Sequence, residues 1–181
     1  MLCGIDEAGR GPLAGDLVMA GCILHVKIEG LNDSKKLTPK KREILYEKII
    51  QNATFHIAKF SALQIDTLGI SACLKMGLEE ILHNIQADEY IFDGNSSFGV
   101  QGIHTLIKAD ATIPEVSAAS ILAKVTHDRD IMVLDSLYPE YGFASHKGYG
   151  TALHVEMIKK HGYTPVHRQT YKVKSLQPTL F

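Results

Sequence analysis

Apolar positions fall in short runs near the start of the chain and in helical stripes further on. Leu2–Ile5 and Leu17–His25 are apolar, partly β-branched and bounded by glycine-bearing turns, so they predict strands. LTPKKREILYEKIIQN predicts a helix, with Thr38 as N-cap, Pro39 at the first helical position, and Leu45 and Ile49 sharing a face. Thr54–Phe60 predicts a strand. Ile70–Gln86 predicts a second helix, with Leu74, Leu78, Ile81 and Ile85 on one stripe. Two further strands follow, EYIFDGN stopping at Asp93-Gly94 and IHTLIKAD stopping at Asp110. The longest helical pattern is PEVSAASILAKVTHDRDIMVLDSLY. It would bury Ala118, Ile121, Leu122, Val125 and Met132, and its small residues Ala118, Ala119 and Ser120 allow close approach. PEYGFASHKGYG reads as a glycine-rich loop, and Thr151–His161 as a last helix before an irregular tail.

Two strands followed by alternating helices and strands predict an α/β fold: a mixed or mainly parallel sheet with helices on both faces. The chain has 181 residues, 45% apolar and 22% charged, which suits one domain with a small C-terminal part. A net charge of −1 gives no global field for a polyanion. The cations are bunched instead, around Lys35, Lys36, Lys40, Lys41 and Arg42, and again from Lys159 to Lys174; such bunches are ordinarily solvated faces. Cys3, Cys22 and Cys73 are odd in number and widely spaced, against a disulfide framework or zinc site. No apolar stretch is long enough to span a bilayer, and acids at position 6 argue against a secretory leader. The expectation is a cytoplasmic protein, with nothing calling for more than a monomer.

Three predicted strands end in acid: Asp6-Glu7, Asp93 and Asp110. If those ends are neighbours, four carboxylates crowd one sheet edge, and two charges ~4 Å apart repel by about 4 kcal/mol at an effective dielectric of ~20. Divalent cations relieve this, and oxygen-only ligands select Mg²⁺ or Mn²⁺ over zinc. Two such ions suit phosphodiester cleavage. The bland alternative is turn residues, strongest for Asp93-Gly94. One difficulty is geometric: neighbours in a strand point to opposite faces, so Asp6 and Glu7 need a bend to converge. A loose dinucleotide fingerprint in GIDEAGRGPLAG is weakened because a strand, not a helix, follows it.

The chain resembles bacterial ribonuclease HII along nearly its whole length. GIDEAGRGPLAG, LNDSKKLTPKKRE, IFDGN, IKADATIPEVSAASILAKVTHDRD, YGFASHKGYGT and HGYTPVHRQTY occur in the family's order. The resemblance implies a ribonuclease H-like mixed β-sheet flanked by helices, with residues 1–137 as catalytic core and 138–181 as a helical and tail region completing the same domain. It implies hydrolysis of the RNA strand of RNA–DNA hybrids and cutting 5′ to single ribonucleotides in duplex DNA, leaving 3′-hydroxyl and 5′-phosphate ends. It assigns Asp6, Glu7, Asp93 and Asp110 to two Mg²⁺ or Mn²⁺ ions, with Asp128 and Asp130 as nearby competitors in an exposed or ion-paired role. Gly9, Arg10 and Gly11 would approach the ribose 2′-hydroxyl, the group that separates RNA from DNA. Tyr149 would pack on the adjoining sugar. Lys35, Lys36, Lys147 and Arg168 are candidate phosphate contacts, and His146 a candidate for phosphate or proton work, although a lone histidine is more often structural. Gly150 and Thr170-Tyr171 depart mildly from the family pattern, without removing a ligand.

The chain ends QPTLF. Gln177, Leu180 and Phe181 either dock on the protein's own body or resemble the Q-x-x-L-F peptide that binds the bacterial sliding clamp. The rival to an enzyme is a non-catalytic nucleic-acid or clamp-binding module of the same fold, which the loss of one acid would have favoured.

Overall fold

The computed structural model describes residues 1–32, 34–173 and 176. Five strands, β1 (Leu2–Ala8), β2 (Leu17–Leu24), β3 (Ala53–Phe60), β4 (Glu89–Asp93) and β5 (Ile103–Leu106), form one sheet in the order β3-β2-β1-β4-β5. β1, β2 and β3 pair antiparallel, whereas β4 is parallel to β1 and β5 parallel to β4. The sheet is therefore mixed, with β1 at its centre.

The described residues form six helices, α1 (Pro39–Asn52), α2 (Ala62–Leu68), α3 (Ile70–Asn84), α4 (Pro114–Leu137), α5 (Phe143–His146) and α6 (Ala152–His161), of which α1, α3 and α4 pack on the sheet. On one face Cys3, Ile5 and Met19 meet Leu74, Leu78 and Ile81 of α3. On the other, Val18, Ala20 and Cys22 meet Ala118, Ile121 and Leu122 of α4, with Leu45 and Ile49 of α1. The small residues at the start of α4 explain its depth, and so does Gly4. A Cβ there would lie 2.2 Å from backbone atoms of Glu115 and Val116, so the helix rests directly on β1. A third cluster joins Leu13 and Ala14, between β1 and β2, to Tyr141, Phe143 and Ile158.

Four sequence expectations are corrected. β1 does not stop at Ile5 but stays paired with β2 through Ala8. The strand expected to reach Asp110 stops at Leu106. Lys108 then takes the left-handed conformation (φ 61°), and Asp110 sits in a 3-10 turn, Ala109–Ala111. Met132 is exposed, and Ile131 takes the buried place expected for it. The loop at 139–150 contains a 3-10 turn (Pro139–Tyr141) and α5. The unforeseen α2 is short but marked: Ser61 and Gln64 form a capping box, and Gly69 (φ 84°) breaks it from α3. No helix among the described residues is long and apolar enough to cross a membrane.

Candidate metal centre and its surroundings

β4 pairs with β1 only as far as Ile5↔Phe92, so Asp6 and Glu7 lie just past the carboxyl end of that parallel pair. Ligand sites of open α/β sheets favour this position. Asp6 follows Gly4 onto the α4 face and is nearly buried. Its Oδ1 accepts the Glu7 N–H at 2.8 Å, and Ser120 of α4 donates to it as well. Ser120 Oγ lies 2.8 Å from Ser34 Oγ, so with Ser120 donating to Asp6, Ser34 supplies the other hydrogen. A polar chain thus runs from the carboxylate to the turn bearing Lys35 and Lys36.

Asp93 ends β4 and draws the following turn back beneath itself. Its Oδ1 accepts the Lys108 N–H at 2.9 Å and its Oδ2 the Asp110 N–H at 3.4 Å. The Asp110 carbonyl accepts from Ser117 Oγ of α4. Through these contacts Asp6, Asp93 and Asp110 each bring a carboxylate oxygen within 4.8 Å of the others.

Glu7 is not part of that triplet, because it leaves β1 on the opposite face. It instead lines the same cleft of about 440 Å³, where β4 no longer covers the strand, beside Lys35, Lys36, Ile107 and Lys108. Glu7 Oε1 lies 3.5 Å from Arg10 Nη1, and its buried Oε2 has no hydrogen-bond partner among the described residues. Burial, reinforced by the Glu7 charge, pushes the Asp6 carboxyl well above the usual carboxylate range. Burial also raises Glu7, with Arg10 opposing and Asp93 adding to the shift. A buried carboxylate oxygen without a partner, beside three clustered aspartates, is a donor set fitted to a hard divalent cation.

The competitors are occupied otherwise. Asp128 pairs with Lys124 at 2.8 Å and more distantly with Arg42, and Asp130 pairs with Lys59 at 2.6 Å.

Around the cleft, Gly9 adopts φ 82°, and a Cβ there would stand 2.4 Å from the Asp16 carbonyl and 2.5 Å from the His127 ring. Arg10 is exposed, with its guanidinium 5.7 Å from the centre of the Phe98 ring. Tyr149 is half-exposed, and its ring edge lies 3.7 Å from where a Gly11 Cβ would begin. Lys35 and Lys36 are exposed on their turn, whose carbonyls at Ser34 and Leu37 each accept from Arg42 Nη1 at 2.8 Å. Lys147 borders a separate hollow with Arg42 and Arg129, its Nζ 3.4 Å from Met132 Sδ.

Two expected phosphate contacts are corrected. Arg168 is 1% exposed and spends its guanidinium on the carbonyls of Gly9, Arg10 and Gly15, so no face of it meets a phosphate. His146 is buried; its Nδ1 accepts from Gly148 N–H and its Nε2 donates to the Tyr141 carbonyl at 2.9 Å. Gln177, Leu180 and Phe181 lie outside the described residues. Sequence reading gave Ser34, Ser120, Lys108 and Arg42 no role at this centre, naming Ser120 only as a small helix residue and Arg42 only in a cation bunch. Only Lys108 carried a signal, as the cation two places before Asp110.

A family model described as Ribonuclease HII matches residues 3–174. A ribonuclease HII from Sulfurovum sp. (strain NBC37-1) is 57% identical over 181 residues, covering 99% of this chain and 96% of the relative. Among solved structures, the PCNA:RNase HII complex from Archaeoglobus fulgidus contains a chain similar to this one. Its TM-score is 0.83 at 28% identity, with 99% of this chain and 98% of that one covered. Ribonuclease H2 from Pyrococcus horikoshii OT3 gives a TM-score of 0.76 at 31% identity, covering 94% of this chain and 93% of that one.

Proposed function

The chain belongs to the ribonuclease HII family, and on that premise we propose that it hydrolyses the RNA strand of RNA–DNA hybrids and cuts 5′ to single ribonucleotides in duplex DNA. The products expected are a 3′-hydroxyl and a 5′-phosphate. The observation that carries the reading is the clustering of Asp6, Asp93 and Asp110 beside Glu7 Oε2, which has no partner among the described residues. These four residues would hold Mg²⁺ or Mn²⁺, with two ions in the reactive complex. Bound there, the ions supply charge neutralisation, polarisation of the phosphate and a more acidic water.

The chain's own residues do the rest. The Ser34–Ser120 hydrogen bonds fix the Asp6 carboxylate, and Asp93 holds the Asp110 turn by its backbone, so the acids are oriented before substrate arrives. Lys35, Lys36 and Lys108 line the cleft as cations for the phosphate backbone, adding affinity without sequence preference. The Gly9–Gly11 turn, free of side-chain bulk at both glycines, meets the 2′-hydroxyl, and Tyr149 meets the neighbouring sugar. The non-catalytic alternative would gain from a missing acid, and all four are present. The Gln177–Phe181 tail extends the proposal to a sliding-clamp contact, which a pull-down with residues 177–181 deleted would lose.

The test is cleavage of a labelled DNA duplex containing one ribonucleotide, with Mg²⁺, Mn²⁺ or chelator, alongside Asp6→Asn. A single cut 5′ to the ribonucleotide, lost with chelator and in the variant, is expected. No cut on that duplex or on a continuous hybrid would refute the enzyme reading.

A further inference from the structure

The Gly9–Gly11 turn and Tyr149 are both held in place by one segment that touches neither the cleft nor its acids. Arg168 gathers the turn. Its Nη2 donates to the Gly9 carbonyl at 2.6 Å, its Nη1 to the Arg10 carbonyl at 3.1 Å, and its Nε and Nη2 to the Gly15 carbonyl at 3.0 and 2.8 Å. The Tyr171 hydroxyl donates to the Arg10 carbonyl too, at 2.8 Å. The backbone joins in, with Arg168 N–H donating to Leu13 O at 2.7 Å and Gly15 N–H to Val166 O at 2.9 Å.

The adjacent residue, His167, is linked to Tyr149 through His154 of α6. Its Nδ1 accepts the Thr164 N–H at 3.0 Å, so its hydrogen is on Nε2, which donates to His154 Nε2 at 3.1 Å. His154 Nδ1 then donates to the Tyr149 carbonyl at 3.0 Å, beside the Thr151 N–H at 2.8 Å. This order of donors and acceptors needs both rings neutral, as burial keeps them. The far side of the segment is anchored on α2, where the Asp66 carboxylate accepts the Gln169 and Thr170 N–H groups at 2.8 and 3.1 Å.

We infer that residues 164–171 form a strut that sets the spacing between the Gly9–Gly11 turn and the Tyr149 ring. That makes Arg168, His167 and His154 positioning residues for reading the ribonucleotide; the inference rests on the nuclease reading above. The two readers are in contact range of each other, so a small shift of either changes which sugar fits between them. Asp6, Asp93 and Asp110 are fixed by contacts from α4 and the 108–110 turn, independent of this strut.

The experiment measures kcat/KM of the full chain on a duplex with one ribonucleotide and on a continuous hybrid, together with calorimetric Mn²⁺ binding. His154→Phe, which removes the side-chain donor to the Tyr149 carbonyl and leaves it the Thr151 N–H, should lower the ratio of single-ribonucleotide to hybrid cleavage roughly tenfold, the size of one lost positioned hydrogen bond. His154→Asn, whose amide keeps a donor near Nδ1, should restore that ratio to within about threefold. Arg168→Lys, which loses the planar fork, should slow both substrates by roughly tenfold or more. Mn²⁺ affinity should stay within about twofold throughout, since no ligand is touched. An unchanged ratio in His154→Phe overturns the inference, as does Mn²⁺ affinity falling in step with activity. Should Arg168→Lys not fold, the His154 pair decides alone. Inactivity of the unsubstituted chain on both substrates would instead sink the nuclease reading itself.

Discussion

Replacing Asp6 with asparagine tests the electrostatics of the centre without needing substrate. The oxygens of Asp6, Asp93 and Asp110 lie within 4.8 Å of one another. Two ionised carboxylates at that distance repel by about 3.5 kcal/mol at an effective dielectric of ~20. Burial first, then the Glu7 charge and more weakly that of Asp93, hold the Asp6 carboxyl well above the usual carboxylate range, so ionising it in the folded chain without metal is costly. What remains near neutral pH is the cost of holding a proton, or a desolvated charge, on Asp6. Asparagine removes that cost yet keeps Oδ1 for the Glu7 N–H and a polar group for Ser120. In chelator at pH 7.5 the variant should gain about 1–2 kcal/mol, a Tm rise of roughly 2–8 °C for a chain of this size. A raised carboxyl binds its proton more tightly in the folded state. Its stabilisation is therefore complete below the unfolded value near 3.8 and lost as pH rises through the folded one, so the variant's advantage grows with pH. Saturating Mn²⁺ should reverse the order, because the cation then stabilises the wild-type chain more. Urea denaturation followed by circular dichroism at pH 5 and 7.5, with EDTA or Mn²⁺, reads all of this. A loss of more than about 1 kcal/mol in EDTA at pH 7.5 would refute the reasoning and make Asp6 a structural partner. Asp93→Asn is a poorer probe, since both its oxygens hold backbone N–H groups.

Gly4→Ala should destabilise by about 3 kcal/mol or more, because the new methyl meets the backbone of Glu115 and Val116, which cannot rotate away. A loss below about 1 kcal/mol on urea denaturation would mean that α4 is not seated on β1. The His167 imidazole, lowered to about 4 chiefly by burial, makes stability fall as pH drops from the unfolded value of 6.5 toward 4, where only the unfolded chain takes up the proton. Between pH 7 and 4.5 the wild type should lose about 2 kcal/mol more than His167→Phe, a comparison that cancels the carboxylates; equal losses would show that the imidazole is not held neutral.

Much of the scaffold was legible because it depends on local periodicity. The stripe Leu74, Leu78, Ile81 and Ile85 is α3 and the residue just past it, the Thr38–Pro39 start of α1 is where expected, and the small residues of α4 do lie against the sheet. The acids were legible as residue types, and Asp93 as a strand end. The route to convergence was not. Asp110 arrives through a left-handed Lys108 and a 3-10 turn held by Asp93, an arrangement set by a hydrogen bond across the fold rather than by neighbouring residues. Glu7 lines the cleft beyond the last β1–β4 pair, Ile5↔Phe92, a position that depends on how the two strands are registered.

The same division separates the two arginines from the two cleft lysines. Lys35 and Lys36 sit on an exposed turn, where a cation faces water or a phosphate whatever lies beneath it. Arg42 and Arg168 look no different in sequence, yet each spends its guanidinium on the carbonyls of a loop: Ser34 and Leu37 for one, Gly9, Arg10 and Gly15 for the other. The amino-acid pattern by itself determined the helices, the strands and the kinds of side chain at the centre, since periodicity and side-chain chemistry belong to each residue and its near neighbours. Only the tertiary structure decided which charges meet a ligand and which are buried as struts, because desolvation and hydrogen-bond partners are supplied by residues as far apart as Gly9 and Arg168.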